Sequence, residues 1–301
     1  MALACIGCFV LHYPSNMNFS DIKTIVIVGA GTMGAGIAQL CAVAGYRTIL
    51  FDINADALPK AQQHIAHNLS EAVKRNKMTA DAQQAALQRI VTTHHIAELV
   101  GDIVIEAVVE KLAIKVDIFQ QIAHLNPPTT ILASNTSSIP ITQIAAAIPQ
   151  PERVVGMHFF NPAHLMKLVE VIAGAATAPE VCQIITELAQ KMGKTTVQAA
   201  DSPGFIVNRV ARPYYVESLQ ILEEQVADHA TIDELLEATG FKMGAFRLMD
   251  LIGVDVNFSV TSSLFESFHY VPRFRPSRIQ QQKVLAGFCG RKSGKGFYEY
   301  E

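Results

Sequence analysis

Residues 24–44, TIVIVGAGTMGAGIAQLCAVA, decide the fold class of this chain. Thr24 to Val28 is a short, unbroken, β-branched run of the kind a parallel strand shows when both its faces are buried. Glycine then recurs from Gly29 to Gly36, and apolar residues return at helical spacing from Ile37 to Ala44 until Gly45 stops them. In Gly29-Ala30-Gly31-Thr32-Met33-Gly34 the first glycine allows a tight turn, Gly31 lets a pyrophosphate approach the backbone, and Gly34 permits close helix packing. The helix start offers free N–H groups and a positive dipole end to phosphates, and Thr32 and Met33 count with the glycines as cofactor-binding positions. Such a loop alone is a weak signal, since glycines also gather in ordinary turns. Its context strengthens it: the next strand, Arg47 to Phe51, ends at Asp52, 21 residues after Gly31. A carboxylate there accepts hydrogen bonds from the adenosine ribose and repels a ribose phosphate, which predicts NAD rather than NADP as cofactor.

Further out, Ala57 to Arg75 reads as a long helix, with Thr79 as the cap of another. Shorter β signals follow at Ile90 to Thr92, Ile103 to Glu106, Ile131 to Ser134, Val154 to Met157 and Leu168 to Ile172, with helical stretches at Lys111 to Leu125 and Glu180 to Met192. Strands alternating with helices predict an α/β fold, a Rossmann-type doubly wound and mainly parallel sheet, with chemistry at the carboxyl ends of its strands. From Pro203 onward strand signals thin out. The expected organisation is a disordered extension over 1–21, a dinucleotide-binding domain over 22–202 and a smaller all-helical domain over 203–301.

The 24 basic and 27 acidic side chains leave a net charge of −3, which argues against a nucleic-acid footprint or a polybasic membrane anchor. No apolar run approaches transmembrane length. The expected partner is a small molecule. Half the residues are hydrophobic, enough for a sizeable core that needs no staples, and the five cysteines are scattered and odd in number. Both features point to a reducing compartment, the cytoplasm, with no structural disulfide. Cys5 and Cys8 form a lone C-x-x-C without a second pair, so no metal site is expected. Residues 1–16 lack the charged start and cleavage site of a secretory signal, and Met17 is an alternative translation start.

Oxidation of a secondary alcohol by such a cofactor needs a base for the hydroxyl proton, and histidine suits that work near neutral pH. Of ten histidines, His158 stands out because it closes the strand signal from Val154 to Met157. Glu170 is a lone carboxylate in the apolar run Leu168 to Ile172, and a buried carboxylate needs a partner such as an imidazole. Read from the residues alone, the two are either such a pair or unrelated. Ser134 to Ser138 places hydroxyls after another strand, as a site or as a helix cap. Asn208, in PGFIVNR, either faces a cleft or caps a helix.

Together these segments resemble the 3-hydroxyacyl-CoA dehydrogenase family, in particular its single-module 3-hydroxybutyryl-CoA dehydrogenases. The resemblance runs from about Ile22 to Tyr300 and rests on VGAGTMGAGIA (28–38), EAVVEKLAIK (106–115), ASNTSS (133–138), HFFNPAHLMKLVEVI (158–172), DSPGFIVNR (201–209) and GRKSGKGFYEY (290–300). It implies that His158 takes the 3-hydroxyl proton, that Glu170 orients His158, and that Ser137 and Asn208 hold the acyl-CoA substrate. It also implies cofactor contacts from Glu110, Lys115, Asn161 and Lys295, and a homodimer. One departure stands out: the family's M-G-P-F-E-L reads Met243-Gly244-Ala245-Phe246-Arg247-Leu248 here. The segment 255–300 looks closer to 3-hydroxyadipyl-CoA dehydrogenases, for which Arg273, Arg275 and Arg278 are candidate partners of a distal carboxylate, against the plainer reading of a solvated face.

Overall fold

The computed structural model describes residues 18–301. Contacts divide the chain into two compact units, one ending at Asp201 and the other running from Ser202 to Glu301.

The first unit is built on strands β1 (Thr24–Val28), β2 (Arg47–Phe51), β3 (Ile90–Thr93), β4 (Ile103–Glu106), β5 (Ile131–Ser134), β6 (Val154–Phe159), β7 (Leu168–Ala173) and β8 (Thr195–Ala200). They form one sheet in the order β3-β2-β1-β4-β5-β6-β7-β8. Every neighbouring pair is parallel except β6 and β7, which run antiparallel. The order reverses direction between β1 and β4, the switch point at which doubly wound sheets open a crevice for ligand. Helices α1 (Thr32–Val43), α2 (Ala57–Lys74), α3 (Ala80–Gln88), α4 (Leu112–Leu125), α5 (Ile141–Ala145) and α6 (Pro179–Lys191) supply the crossovers and covering layers. β4, β5 and β6 are buried along their whole length, because helices cover both faces of the sheet. Ile25 and Ile27 of β1, Ile103 and Ile105 of β4, and Ile37 and Cys41 of α1 share one core. Each buried isoleucine there contributes about 1.5–3 kcal/mol.

The second unit holds α7 (Val207–Glu223), α8 (His229–Ala238), α9 (Ala245–Ile252), α10 (Val254–Ser267) and α11 (Arg278–Leu285). Tyr215, Leu219, Ile232, Phe246, Met249, Val254 and Phe297 form its core. Two buried aspartates fasten the C-terminal tail. Asp250 accepts from the Phe297 and Tyr298 N–H groups, both at 2.9 Å, and Asp233 accepts from the Tyr298 hydroxyl at 2.9 Å. Asp233 also accepts from the N–H groups of Phe246 and Arg247, which caps the start of α9. Arg247 itself pairs with Glu237 at 2.9 Å, which gives the departing residue a local partner.

Several expectations need correction. Residues 18–21 are not part of a disordered extension: Phe19–Asp21 is a short 3-10 turn, and Phe19 packs against the sheet's core. The Cys5–Cys8 motif, the alternative start and the rest of the extension lie outside the described residues. α1 begins at Thr32 rather than Ile37, because Gly34 and Gly36 are helical positions where neighbouring atoms come close. β6 continues through Phe159, so His158 lies inside the strand, kept in the ladder by its pairing with β7. β8 was not anticipated. Its sequence, TTVQAA, is largely polar and small because it forms the sheet's outer edge, where only Ala199 is buried.

Candidate active site

The glycine loop closes β1 against the loop after β4. Gly29 has φ +104°, donates its N–H to the Phe51 carbonyl at 2.8 Å, and passes so near Ala107 that a Cβ would meet its carbonyl oxygen at 2.7 Å. Gly31 is the N-cap of α1, no side chain caps that end, and a Cβ at Gly31 would meet nothing within 4 Å. The helix start therefore presents bare backbone to open space, which suits the phosphates of a dinucleotide. Asp52 follows β2 and accepts from the Ala30 N–H at 2.8 Å and the Asn54 N–H at 2.9 Å, which sets its carboxylate beside the loop. Thr32 and Met33 occupy the first turn of α1, and Met33 packs partly against the core.

Further along the same sheet edge, the antiparallel register places His158 directly opposite Glu170. Nδ1 of His158 lies 2.7 Å from Glu170 Oε2, and Nε2 lies 3.0 Å from Ser137 Oγ. Glu170 is fully buried and His158 nearly so. With a carboxylate on Nδ1, that nitrogen carries the proton, leaving Nε2 as an acceptor toward Ser137. Phe160 lies against the imidazole with ring centroids 4.6 Å apart. The Phe159 N–H donates to Asn135 Oδ1 at 2.8 Å, tying the end of β6 to the serine loop.

That loop is held from the β4 side. Glu110 Oε1 accepts from Thr136 Oγ1 at 2.6 Å, from the Ser137 and Ser138 N–H groups at 2.9 and 3.0 Å, and from Ser138 Oγ at 3.0 Å. Burial pushes the Glu110 carboxyl up, but Lys115 and these donors outweigh it and hold the group below its ordinary range. Lys115 is buried, its Nζ 2.7 Å from Glu106 Oε1 and 3.1 Å from Glu110 Oε2. Asn161 is exposed just beyond β6. Asn208 stands in the first turn of α7 and Lys295 in the tail, where its Nζ lies 2.7 Å from Glu299 Oε1. Both belong to the second unit. The structure thus gathers His158, Glu170, Ser137, Glu110 and Lys115 into one network, and Gly29 to Gly34 with Asp52 into another.

Two members of this network were not singled out from sequence. Glu106 ends the apolar strand Ile103-Val104-Ile105 as a lone carboxylate, the same signal that marked Glu170. Asn135 had no such signal, because its role is one hydrogen bond to a neighbouring strand.

A glycine loop at a topological switch point, a carboxylate after the second strand and a carboxylate–imidazole pair on the same sheet edge define a nicotinamide-dependent dehydrogenase. The model of the 3-hydroxyacyl-CoA dehydrogenase NAD-binding domain matches residues 24–202, and that of the 3-hydroxyacyl-CoA dehydrogenase C-terminal domain matches residues 204–300. The chain belongs to the 3-hydroxyacyl-CoA dehydrogenase family. It is 49% identical to 3-hydroxyadipyl-CoA dehydrogenase of Escherichia coli over 93% of its own length, yet spans only 59% of that longer protein. It is 39% identical to 3-hydroxybutyryl-CoA dehydrogenase of Bradyrhizobium diazoefficiens, covering 93% of this chain and 96% of the relative. The crystal structure of (S)-3-hydroxybutyryl-CoA dehydrogenase from Ralstonia eutropha superimposes with a TM-score of 0.89 at 39% identity, covering 93% of this chain and 99% of that one.

Proposed function

We propose that this protein oxidises the 3-hydroxyl of a 3-hydroxyacyl-CoA, 3-hydroxybutyryl-CoA first among them, to the 3-oxoacyl-CoA, reversibly. The observation that carries this reading is the Glu170–His158–Ser137 chain, with contacts of 2.7 and 3.0 Å, on the sheet edge that also bears the glycine loop. His158 Nε2 takes the hydroxyl proton. Glu170 keeps Nδ1 protonated, fixes the plane of the ring and stabilises the imidazolium that forms. Ser137 donates to the reacting oxygen, and the family resemblance assigns the thioester end of the substrate to Asn208. NAD, when bound, would supply the acceptor for the hydride that leaves C3. The bare start of α1 with Gly29, Gly31, Thr32, Met33 and Gly34 would hold its pyrophosphate and Asp52 its ribose, and the family resemblance adds Glu110, Lys115, Asn161 and Lys295 as cofactor contacts. In the reverse direction protonated His158 returns the proton.

The higher identity to a 3-hydroxyadipyl-CoA dehydrogenase favours a second substrate, one with a distal carboxylate. Against it, Arg275 and Arg278 line a cavity of about 390 Å³ in the second unit together with Glu223 and Glu224, a mixed-charge wall rather than an anion trap. Turnover of hydroxybutyryl-CoA against hydroxyadipyl-CoA, followed by NADH absorbance, tests both. The proposal requires NAD reduction by the first substrate and its loss in His158→Ala by at least about 100-fold with NADH binding retained. A larger kcat/KM for the dicarboxylyl substrate would transfer the assignment to it. The proposed working form is a cytoplasmic homodimer without nucleic-acid or membrane partners. Leu235 of α8 and Leu251 and Ile252 of α9 are exposed apolar side chains that such a dimer would cover.

A further inference from the structure

The ion pair of Glu106 with Lys115 is among the most deeply buried polar features of the first unit, with the two side chains 0% and 1% exposed. Removing two charges from water is costly, and well-packed apolar residues of similar size commonly serve stability as well or better. The pair is better explained by what it orients. Glu106 Oε1 receives Lys115 Nζ and the Val108 N–H, each at 2.7 Å, and Oε2 receives Ser134 Oγ at 2.7 Å. Ser134 Oγ in turn accepts from the Thr136 N–H at 3.2 Å. Through Lys115 the pair reaches Glu110, whose Oε1 takes the Thr136 hydroxyl and the Ser137 N–H. The loop that carries Ser137 is therefore clamped at its root by Glu106 and at its tip by Glu110, with the Lys115 ammonium bridging the two carboxylates.

We propose that Glu106 is a positioning residue for the reaction, setting the Ser137 hydroxyl against His158 through Ser134, Lys115 and Glu110. The proposal rests on the reading of His158 and Ser137 given above. Its physical basis is that a side chain meant to donate to a reacting oxygen must be held to a fraction of an ångström, which a loop achieves only when its backbone is fixed from behind. Lys115 acts in the same device: its Nζ faces two carboxylates, so what it offers toward the cofactor is the orientation of Glu110.

The test is Glu106→Gln, which keeps the shape and removes the charge, made in the wild type and in Ser137→Ala. Expected is a fall in kcat of about 10- to 100-fold, with the KM for acyl-CoA and the affinity for NADH changed by less than about threefold. In the Ser137→Ala background the same change should cost less than about threefold more, because the two act in series. Unchanged kcat, or an equal loss in both backgrounds, would overturn the proposal. A purely structural role would lower the melting temperature without this coupling. If Glu106→Gln does not fold, Ser134→Ala, which removes only the hydroxyl that Glu106 Oε2 receives, is measured in the same two backgrounds with the same expectations. A wild type that turns over no 3-hydroxyacyl-CoA would fail the parent reading, whereas an active wild type with an indifferent Glu106→Gln would fail this one.

Discussion

Gly31 and Gly34 belong to one loop but are glycine for different reasons, and alanine at each separates them. A Cβ on Gly34 would sit 1.7 Å from the Gly29 carbonyl oxygen and 2.8 Å from its carbon, so that carbonyl would have to withdraw by more than about 1 Å. It has nowhere to go, because Gly29 is tied to Phe51 and lies against Ala107. Overpacking this severe takes the upper part of the usual range, about 2–3 kcal/mol, and the better helix propensity of alanine returns about 1. A net loss of about 1–2 kcal/mol lowers the melting temperature by roughly 2–8 °C. The displaced turn should also misplace the backbone donors meant for pyrophosphate, and losing one charge-assisted bond, about 1.5–3 kcal/mol, weakens NADH binding at least about tenfold. At Gly31, by contrast, φ is −67° and a Cβ meets no protein atom within 4 Å. Gly31→Ala should cost no more than about 0.5 kcal/mol as a poorer N-cap, while its methyl occupies the space the cofactor needs. Thermal melts paired with NADH fluorescence titration read both quantities. Equal melting losses in the two variants, or undiminished NADH affinity in Gly31→Ala, would refute this account of the loop.

For Glu170→Gln we expect kcat to fall about 100-fold or more with NADH affinity retained, since the imidazole loses the partner that fixes its tautomer; steady-state turnover above a third of wild type would contradict it. Asp52→Arg should lower the ratio of kcat/KM for NAD over NADP at least about tenfold, and an unchanged ratio would remove that carboxylate from cofactor choice. The Glu110 carboxyl is held below its unfolded value near 4.5, so its contribution is present above that pH and is lost as pH falls toward the folded value. Melting temperature should therefore decline less steeply below about pH 4.5 in Glu110→Gln than in wild type, and parallel acid limbs would count against the clamp.

Local sequence was enough for the first half of the site. The strand, the glycine turn, the helix and Asp52 follow one another within 29 residues, 24–52, and each is specified by its own neighbours: β-branching for β1, the lack of Cβ at the turn, and a carboxylate after β2. Strand positions could be read for the same reason wherever a strand is buried on both faces, as Ile103 to Glu106 and Ile131 to Ser134 were. Edge strand β8 escaped notice because half-solvated backbone imposes no apolar run.

Which side chains meet across the sheet is another matter, and it depends on strand order and register. From the residues alone His158 and Glu170 are either a pair or unrelated, and only the family resemblance pairs them; the antiparallel pairing of β6 with β7 sets them opposite one another. Glu106 meets Ser134 because β4 and β5 are parallel and in that register, and Lys115 reaches both carboxylates only because α4 packs over the end of β4. Sequence by itself determined that a glycine turn joins β1 to α1 and that Asp52 follows β2, because β-branching and the lack of a Cβ are properties of the local chain. Tertiary structure decided that buried Glu106 is answered by Ser134 and Lys115 and that Lys115 also reaches Glu110, because an unpaired charge in a sheet's interior is intolerable and only strand order and register say which atoms lie close enough to answer it.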